Sequence, residues 1–262
     1  MDDPVLLTGA GGRVGQAILG GIGSEYDWRL LDREPLAEED IPDGVSDDDV
    51  VIGDVTDEEA VREAVDGVGA VIHLAGDPRP TAPWDSVLRN NIDGAHTVFD
   101  AAADSGVERV AFASSNHAVG AYETDERTPD MYRADDEYQL NGSELPRPSN
   151  LYGVSKASGE IIGRFYHDEH GISVACVRIG NLTKGHPPKE YERGQAMWLS
   201  HRDCAHLFDR CLRAEYGYEI VFGISDNDRK YYSIDRAREV LGYEPQDNSA
   251  EFTFEGDPKD GV

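Results

Sequence analysis

The sequence is poor in lysine, and its charge is strongly one-sided. Lysine occurs only at positions 156, 184, 189, 230 and 259, and 52 acidic residues stand against 24 basic ones. The formal net charge of -28 repels nucleic acid and anionic membranes, so we expect neither as a partner. Because molar salt shortens the Debye length to about 3 Å, the acid excess favours a salt-rich cytosol over an ordinary acidic protein.

The sequence also has few cysteines and no long apolar run. Cys176, Cys204 and Cys211 form no C-x-x-C pair, and their odd number indicates neither a disulfide framework nor a cysteine zinc site. No apolar run approaches the roughly 20 residues that cross a bilayer, and residues 1–4 lack the features of a signal peptide. We therefore expect a soluble, cytoplasmic protein with reduced, buried thiols.

A glycine motif follows the first predicted strand, residues 4–8. Gly9, Gly12 and Gly15 have the spacing G-x-x-G-x-x-G, and an amphipathic helix follows them. The three glycines permit a tight turn, close approach of the backbone to a pyrophosphate and close helix packing, while the helix N-terminus supplies amide donors. Although this spacing differs from G-x-G-x-x-G, the order of strand, turn and helix predicts a dinucleotide site.

An acidic residue at the end of each of the next two strands predicts how the adenosine end is held. Asp32 ends the second strand, where a carboxylate accepts hydrogen bonds from the adenine ribose and repels a 2′-phosphate. Arg13 and Arg33 point the other way, because a guanidinium can hold that phosphate. We give the Asp32 carboxylate more weight than the two arginines and therefore predict NAD rather than NADP. We expect Asp54 at the adenine edge.

Tyr152 and Lys156 stand four residues apart on a predicted helix, which places them on the same face. A nearby ammonium lowers the pKa of a tyrosine from about 10, so Tyr152 is a candidate base. Ser115 follows a predicted strand at the carboxyl edge of the sheet, where it can donate a hydrogen bond to a reacting oxygen. We predict Asn116 and His117 as substrate contacts; an acid and a structural histidine are the alternatives for His117.

Two further helices are predicted from local signals. Thr56 and Glu59 form a capping box for a helix that runs towards Val65. A long helix over residues 84–103 carries Asn91. This asparagine supports the catalytic helix, joins a proton relay, or is simply polar surface.

Strands and helices alternate regularly up to residue 180, which predicts an α/β fold, a Rossmann-type doubly wound parallel sheet with right-handed crossovers. We predict residues 1–180 as the NAD-binding core. Residues 181–262 are too few for an independent domain, and we predict a small substrate-binding cap that partly returns to the core. This region contains a basic cluster, formed by Lys184, His186, Lys189 and Arg193.

The motifs together resemble a known family. The sequence is similar to the extended short-chain dehydrogenase/reductase family over essentially its whole length, through the order and spacing of Gly9, Gly12, Gly15, Asp32, Asp54, Ser115, Tyr152 and Lys156. Residues 114–120, 178–180 and 193–200 resemble the uronate dehydrogenase branch. The closer likeness, over residues 186–193 and 227–232, is to the haloarchaeal glucose-6-phosphate dehydrogenases of short-chain type.

The resemblance implies a role for several residues. Tyr152 is the base, Lys156 lowers its pKa and holds the nicotinamide ribose, and Ser115 polarises the reacting oxygen. Arg193 stands where the uronate branch holds the sugar carboxylate. The resemblance further implies a homodimer like that of many family members. We expect no metal, because the phenolate and NAD supply the base and the hydride acceptor.

The basic cluster separates two kinds of anionic sugar. Glucose 6-phosphate and a uronic acid share an oxidisable C1 hydroxyl and an anion at the other end. Several cations match a phosphate better than one arginine does, so we predict NAD-dependent oxidation of glucose 6-phosphate at C1. The alternative for this loop is a set of solvated surface charges. The alternatives for the function are a uronate or other aldose dehydrogenase, a sugar-nucleotide epimerase or dehydratase, and a regulator that binds NAD without catalysis.

The predicted contacts lie in the glycine motif, after the strands and on the helices. Those expected for the cofactor are Gly9, Gly12, Arg13, Val14, Gly15, Asp32, Asp54, Val55, Leu74, Ala75, Gly76, Asn91, Tyr152, Lys156 and Arg178. Those expected for the substrate are Ser115, Asn116, His117, Tyr152, Lys184, Lys189 and Arg193.

Overall fold

Parallel strands form the centre of the computed structural model, which describes residues 3–123, 139–189, 192–253 and 255. The strands of these residues are β1 (Val5–Thr8), β2 (Trp28–Asp32), β3 (Val50–Ile52), β4 (Ala70–His73), β5 (Arg109–Ser115), β6 (Ser173–Ile179), β7 (Asn181–Leu182), β8 (Trp198–Leu199) and β9 (Tyr218–Gly223). Seven of them form one parallel sheet in the order β3-β2-β1-β4-β5-β6-β9, while β7 and β8 form a separate pair. The strand order reverses between β1 and β4, and the predicted Rossmann-type α/β fold is confirmed.

Helices cover both faces of the large sheet. They are α1 (Arg13–Ile22), α2 (Glu58–Val65), α3 (Trp84–Val87), α4 (Gly94–Asp104), α5 (Leu151–His170), α6 (Glu192–Ala196), α7 (His201–Arg213) and α8 (Asp235–Leu241). The single helix predicted over 84–103 is observed as α3 and α4 joined by π-helical turns over Leu88–Asp93, which carry Asn91. Within the described ranges, every helix is too short or too polar to span a bilayer.

The core lies on both sides of the sheet, because parallel strands are buried on both faces. In β1, Val5 and Leu7 pack on the side of α1 and α7, whereas Leu6 packs on the side of α4 and α5. All three side chains are fully buried, and the burial of each contributes roughly 1.5–3 kcal/mol. The short apolar run before the glycine motif therefore forms a central strand that fixes the motif at the sheet edge.

Two elements beyond residue 180 belong to the layers of the sheet. Strand β9 pairs with β6, and α7 packs against α1 so closely that a Cβ on Gly21 would overlap Ala205. The predicted division at residue 180 into a core and a cap stays a prediction. Residues 256–262 of the predicted cap lie outside the described residues.

Helix α2 begins with a different cap from the one predicted. The Asp57 carboxylate accepts the amide hydrogens of Glu59 and Ala60 at 3.0 and 3.4 Å, whereas Thr56 donates its hydroxyl to Asp54 at 2.8 Å. The predicted capping box of Thr56 and Glu59 is therefore wrong. Asp57 is among the strongest N-cap residues and stands one position further along the chain.

Candidate active site

A cleft of about 960 Å³ opens at the carboxyl ends of the parallel strands. It lies where the strand order reverses between β1 and β4, which is where open α/β sheets bind their ligands. Its walls come from the glycine motif, the ends of β2, β4 and β5, and the start of α5. Every predicted cofactor contact except Asn91 and Arg178 lines this cleft.

The glycine motif forms a turn in which side chains would not fit. Gly9 has a φ of 72°, in the left-handed region, and a Cβ there would lie 2.9 Å from the amide nitrogen of Ala75. A Cβ on Gly15 would overlap the carbonyl of Ala10. Helix α1 starts after Gly12 without a side-chain cap and without an acidic residue in its first turn. The turn therefore offers backbone amides and the positive end of the helix dipole to an anion.

Asp32 ties the end of β2 to this turn. Its Oδ2 accepts the amide hydrogen of Gly11 at 2.9 Å, and its Oδ1 accepts that of Glu34 at 3.3 Å. Arg33 is exposed and also lines the cleft. The same end of the cleft therefore carries the Asp32 carboxylate, which favours NAD, and the Arg33 guanidinium, which favours NADP.

Helix α5, which carries Tyr152 and Lys156, packs closely against the end of β5 and the segment that follows it. The Asn150 side chain caps the helix by accepting the amide hydrogen of Gly153 at 2.7 Å. A Cβ on Gly153 would overlap the carbonyl of His117, and one on Gly159 would overlap the Phe112 ring. Small residues on this face of the helix therefore bring Tyr152 close to the end of β5.

The structure brings the three predicted catalytic side chains together. Ser115 lies close enough to the Tyr152 side chain to lower the pKa of the phenol. Lys156 lies on the same helix face, with its Nζ 5.6 Å from the centre of the Tyr152 ring and 5.2 Å from that of Phe112. The arrangement places a phenol, a hydrogen-bond donor and a cation around one point of the cleft.

The electrostatics of Tyr152 differ from the prediction. Burial raises the pKa of Tyr152 above its usual value, the charge of Asp77 raises it further, and the hydrogen bond with Ser115 offsets only part of this. Burial also lowers the pKa of Lys156 to about 8, so this amine is still mostly protonated at pH 7. The net pKa of Tyr152 is therefore raised in this structure, because loss of hydration is its largest contribution, and the role of Lys156 in lowering that pKa stays a prediction.

Asn91 joins α5 to the segment that follows β4. It is buried, and its amide donates to the Ser155 hydroxyl at 2.9 Å and to the Asp77 carbonyl at 3.1 Å. Ser155 in turn donates to the carbonyl of Tyr152 at 2.8 Å. Because Asn91 does not line the cleft, the predicted cofactor contact is replaced by a contact that holds α5 in position.

Arg178 is likewise structural, contrary to the predicted cofactor contact. It is fully buried, and its Nε and Nη2 donate to the two carboxylate oxygens of Glu160 at 2.8 and 2.9 Å. Ser114 donates to the same carboxylate at 2.6 Å. Sequence analysis missed Glu160. Its position one helical turn after Lys156 was the available signal.

Asp77 is a second residue that sequence analysis missed. It lines the cleft and accepts hydrogen bonds from Arg79 and Ser86, each at 2.6 Å. The hydrogen bonds from Arg79 are the main reason why the pKa of Asp77 is held well below its usual range, although burial opposes this. Asp77 is therefore a carboxylate that stays charged near Tyr152.

Two predicted substrate contacts lie beside Tyr152. The His117 ring is half-buried, with its centre 5.7 Å from that of Tyr152 and its Nδ1 3.0 Å from the Asn150 side chain. Burial and the charge of Arg193 lower the pKa of His117. Asn116 is buried and accepts a hydrogen bond from Ser115 at 3.2 Å.

The cations of the predicted basic cluster each have their own neighbours. Arg193 is mostly buried and forms a bidentate ion pair with Glu123. Lys189 pairs with Glu255 at 3.1 Å on the surface. Lys184 is exposed and acts electrostatically on His201, a residue of α7. The three cations therefore have different neighbours, and one phosphate site built from Lys184, Lys189 and Arg193 stays a prediction.

The glycine turn, the acid at the end of β2 and the Ser, Tyr and Lys of the cleft agree with a comparison against protein families. Residues 5–203 match the model of the NAD dependent epimerase/dehydratase family. The chain belongs to this family. The family is described as NAD dependent. The start of α1, which has no side-chain cap, and the glycines where a side chain would not fit are suited to the pyrophosphate of NAD.

Two similar proteins are named as sugar dehydrogenases. The chain is 77% identical over 260 residues to a Haloferax volcanii protein named NAD-dependent glucose-6-phosphate dehydrogenase, with 99% of each chain covered. It is 36% identical over 250 residues to a Pseudomonas putida uronate dehydrogenase, with 95% of this chain and 85% of that one covered.

A solved structure of a mutant Agrobacterium tumefaciens uronate dehydrogenase complexed with NAD has a TM-score of 0.80 and 32% identity. The match covers 98% of this chain and 92% of the other. The predicted resemblance to short-chain glucose-6-phosphate and uronate dehydrogenases is confirmed.

Proposed function

We propose that the protein oxidises glucose 6-phosphate at C1 to the 6-phosphogluconolactone, with NAD as the hydride acceptor. The observation that carries this proposal is the 77% identity to the Haloferax volcanii enzyme over 99% of both chains. The cleft supports it, because Ser115, Tyr152 and Lys156 meet beside the glycine turn.

In this proposal the residues of the chain move one proton and hold one oxygen. Tyr152 takes the proton of the C1 hydroxyl, and Ser115 donates a hydrogen bond that orients the same oxygen. Lys156 remains a cation under the cleft and favours the phenolate form of Tyr152 during the reaction. NAD, when bound, supplies the acceptor for the hydride that leaves C1. Burial of Ser115 and Lys156 keeps these groups away from bulk water.

A uronate dehydrogenase is the second candidate. One buried arginine, Arg193, lies near His117, and one guanidinium fork matches a single carboxylate. Lys184 and Lys189 are exposed, and Lys189 already pairs with Glu255. The likeness to uronate dehydrogenases over 95% of this chain supports the same alternative.

The rate of NADH formation in molar salt separates the candidates. We expect kcat/KM for glucose 6-phosphate to exceed that for glucuronate and for glucose by at least about tenfold, which is the range one polar contact supplies. A higher kcat/KM for glucuronate would replace the proposal with the uronate dehydrogenase. Stoichiometric NAD binding without turnover of any sugar would instead support a regulator.

Replacing Asp32 with alanine is expected to shift cofactor preference towards NADP. The carboxylate lies beside the glycine turn and repels a 2′-phosphate, while Arg33 at the same end can bind it. We expect the ratio of kcat/KM for NADP to that for NAD to rise at least about tenfold, since juxtaposed like charges cost several kcal/mol. Glu34→Ala, which removes an exposed carboxylate at the same end of the cleft, is the control. An equal shift in both variants would contradict a specific role for Asp32.

We also propose a cytoplasmic, halophilic homodimer that serves carbohydrate metabolism, with its product entering a pentose phosphate route. The net charge of -28 supports the halophilic part. The exposed side chains of Trp84 on α3 and of Ile161 and Phe165 on α5 support the dimer, since a partner would cover them.

A further inference from the structure

Arg79 is a cation of the cleft that the proposed reaction does not use. The described basic residues that line the cleft are Arg13, Arg33, Arg79 and Lys156. Arg13 begins α1 and Arg33 follows β2, at the end of the cleft where the pyrophosphate and adenosine of NAD are expected. Lys156 is buried beside the Tyr152 ring. Arg79, whose side chain is 65% exposed, is therefore the cation of this lining that is left for an anionic group of the substrate.

A chain of hydrogen bonds places Arg79 on the Tyr152 side of the cleft. The Tyr152 carbonyl accepts from Ser155, and Asn91 donates to the Ser155 hydroxyl at 2.9 Å. Asn91 also binds the backbone of Asp77 twice, since it accepts the amide hydrogen at 2.6 Å and donates to the carbonyl at 3.1 Å. The charge of the Asp77 carboxylate raises the pKa of Tyr152. Because Arg79 binds this carboxylate directly, the guanidinium and the phenol are both neighbours of Asp77.

Asp77 holds the Arg79 guanidinium by one edge. Nε and Nη2 donate to the two carboxylate oxygens at 2.9 and 2.6 Å. The Ser86 hydroxyl and the Arg79 amide donate to the same oxygens at 2.6 and 3.1 Å, so the carboxylate is fully engaged. In the part of the chain that the structure describes, Nη1 has no hydrogen-bond partner. The outer edge of the guanidinium can therefore bind a second anion with two parallel hydrogen bonds.

Two prolines restrict the backbone on either side of Arg79. Pro78 and Pro80 both line the cleft. A proline fixes its own φ and restricts the residue before it, so the main chain has little conformational freedom left to lose when a ligand binds. The backbone and the ion pair with Asp77 thus position the guanidinium before any substrate arrives.

We propose that Arg79 binds the phosphate of glucose 6-phosphate through Nη1 and the outer hydrogen of Nη2, while Asp77 holds the guanidinium in place. This inference rests on the proposed function, in which the same sugar is oxidised at C1. A phosphate monoester carries about 1.5 to 2 negative charges at pH 7 and has three acceptor oxygens, which match this planar edge. The predicted phosphate contacts Lys184, Lys189 and Arg193 are not part of the described lining of the cleft.

The test is Arg79→Gln, with glucose 6-phosphate and neutral glucose as substrates at saturating NAD. We expect the ratio of kcat/KM for glucose 6-phosphate to that for glucose to fall at least about tenfold, the size of a hydrogen bond to a charged group. Most of the fall should be in KM, because the phosphate is remote from C1. Arg62→Gln removes an arginine that pairs with Asp104 at 2.8 Å on the surface and should leave the ratio unchanged. An unchanged ratio in Arg79→Gln would overturn the role of Arg79 and leave the proposed function intact.

A double variant separates the lost contact from the carboxylate that Arg79→Gln leaves without its partner. An unpaired Asp77 repels a phosphate, and this repulsion alone lowers the same ratio. Asp77→Asn/Arg79→Gln removes both charges, and we expect its ratio to stay as low as that of Arg79→Gln. Recovery of the wild-type ratio in the double variant would overturn the inference, because the effect would then come from Asp77. Changes in the pKa of Tyr152 act on both sugars and cancel in the ratio.

Binding of inorganic phosphate separates failure of the inference from failure of the proposed function. If the wild-type protein does not prefer glucose 6-phosphate to glucuronate, the proposed function fails. Calorimetric titration of the NAD complex with inorganic phosphate at constant ionic strength then judges Arg79 alone, because NAD already fills the glycine turn. Binding that weakens at least about tenfold in Arg79→Gln and in the double variant supports the phosphate site. Equal binding by the wild type and the variants, or no binding by the wild type, overturns it.

Discussion

Replacing Tyr152 with phenylalanine is expected to lower kcat on the order of a thousandfold, the size of contribution made by a positioned proton acceptor. Phenylalanine keeps the ring between His117 and Lys156 and removes only the hydroxyl that Ser115 contacts. NAD affinity should stay within about twofold, because the glycine turn lies on other elements of the cleft. Steady-state NADH formation and NAD titration measure the two quantities separately.

Tyr166→Phe is the matched control for this variant. Tyr166 lies on the same helix, almost four turns beyond Tyr152, and its hydroxyl donates to Asp100 at 3.1 Å. It should keep wild-type kcat. Retained turnover in Tyr152→Phe would remove Tyr152 from its role as base.

The pH dependence of the wild-type enzyme has a sign that follows from burial. Since burial raises the pKa of Tyr152, the phenolate fraction is small at neutral pH and grows as the pH rises. We therefore expect kcat/KM to increase with pH across the neutral range. The Tyr152→Phe variant should lack this rise in any residual activity.

Replacing Glu160 with leucine is expected to lower the free energy of unfolding by about 3–5 kcal/mol, because it leaves the Arg178 guanidinium buried without a countercharge. Glu160 is 1% exposed and Arg178 is fully buried, and Ser114 loses its acceptor in the same change. The midpoint of thermal unfolding should fall by roughly 10 °C for a domain of this size. Calorimetry in molar salt, with NAD absent, gives both quantities.

A double variant and the loss of a more exposed ion pair are the controls for Glu160→Leu. The double variant Glu160→Leu/Arg178→Met removes both charges and should recover most of the lost stability, because the unpaired charge is then gone. Arg236→Leu, which breaks a more exposed ion pair with Glu219, should cost less than about 1 kcal/mol. A small effect of Glu160→Leu would mean that water or another group reaches Arg178.

The sequence predicted the sheet and the cleft well because both depend on local patterns. The apolar run before Gly9, the acid at the end of β2 and the spacing of Tyr152 and Lys156 each follow from periodicity or turn geometry. Parallel strands bring their carboxyl ends to one edge, which predicts Ser115 at the ligand-binding edge of the sheet.

Local sequence patterns did not reveal ion pairs between residues that are far apart in the chain. Arg193 was predicted as part of a cationic cluster, but its partner Glu123 stands 70 residues earlier in the chain. Arg178 and Glu160 meet only because β6 and α5 pack together. The pKa of Tyr152 depends on how much water the finished fold excludes, which no local pattern reports.

The packing of α7 on α1 has a consequence for synthesis on the ribosome. The apolar face of α1 is covered by a helix that begins at His201, so the first strand and its glycine turn emerge long before the element that covers them. Contacts between such distant segments slow folding, and chains longer than about 150 residues commonly pass through partly folded states. A nascent chain that ends before residue 200 is therefore expected to bind chaperones through α1.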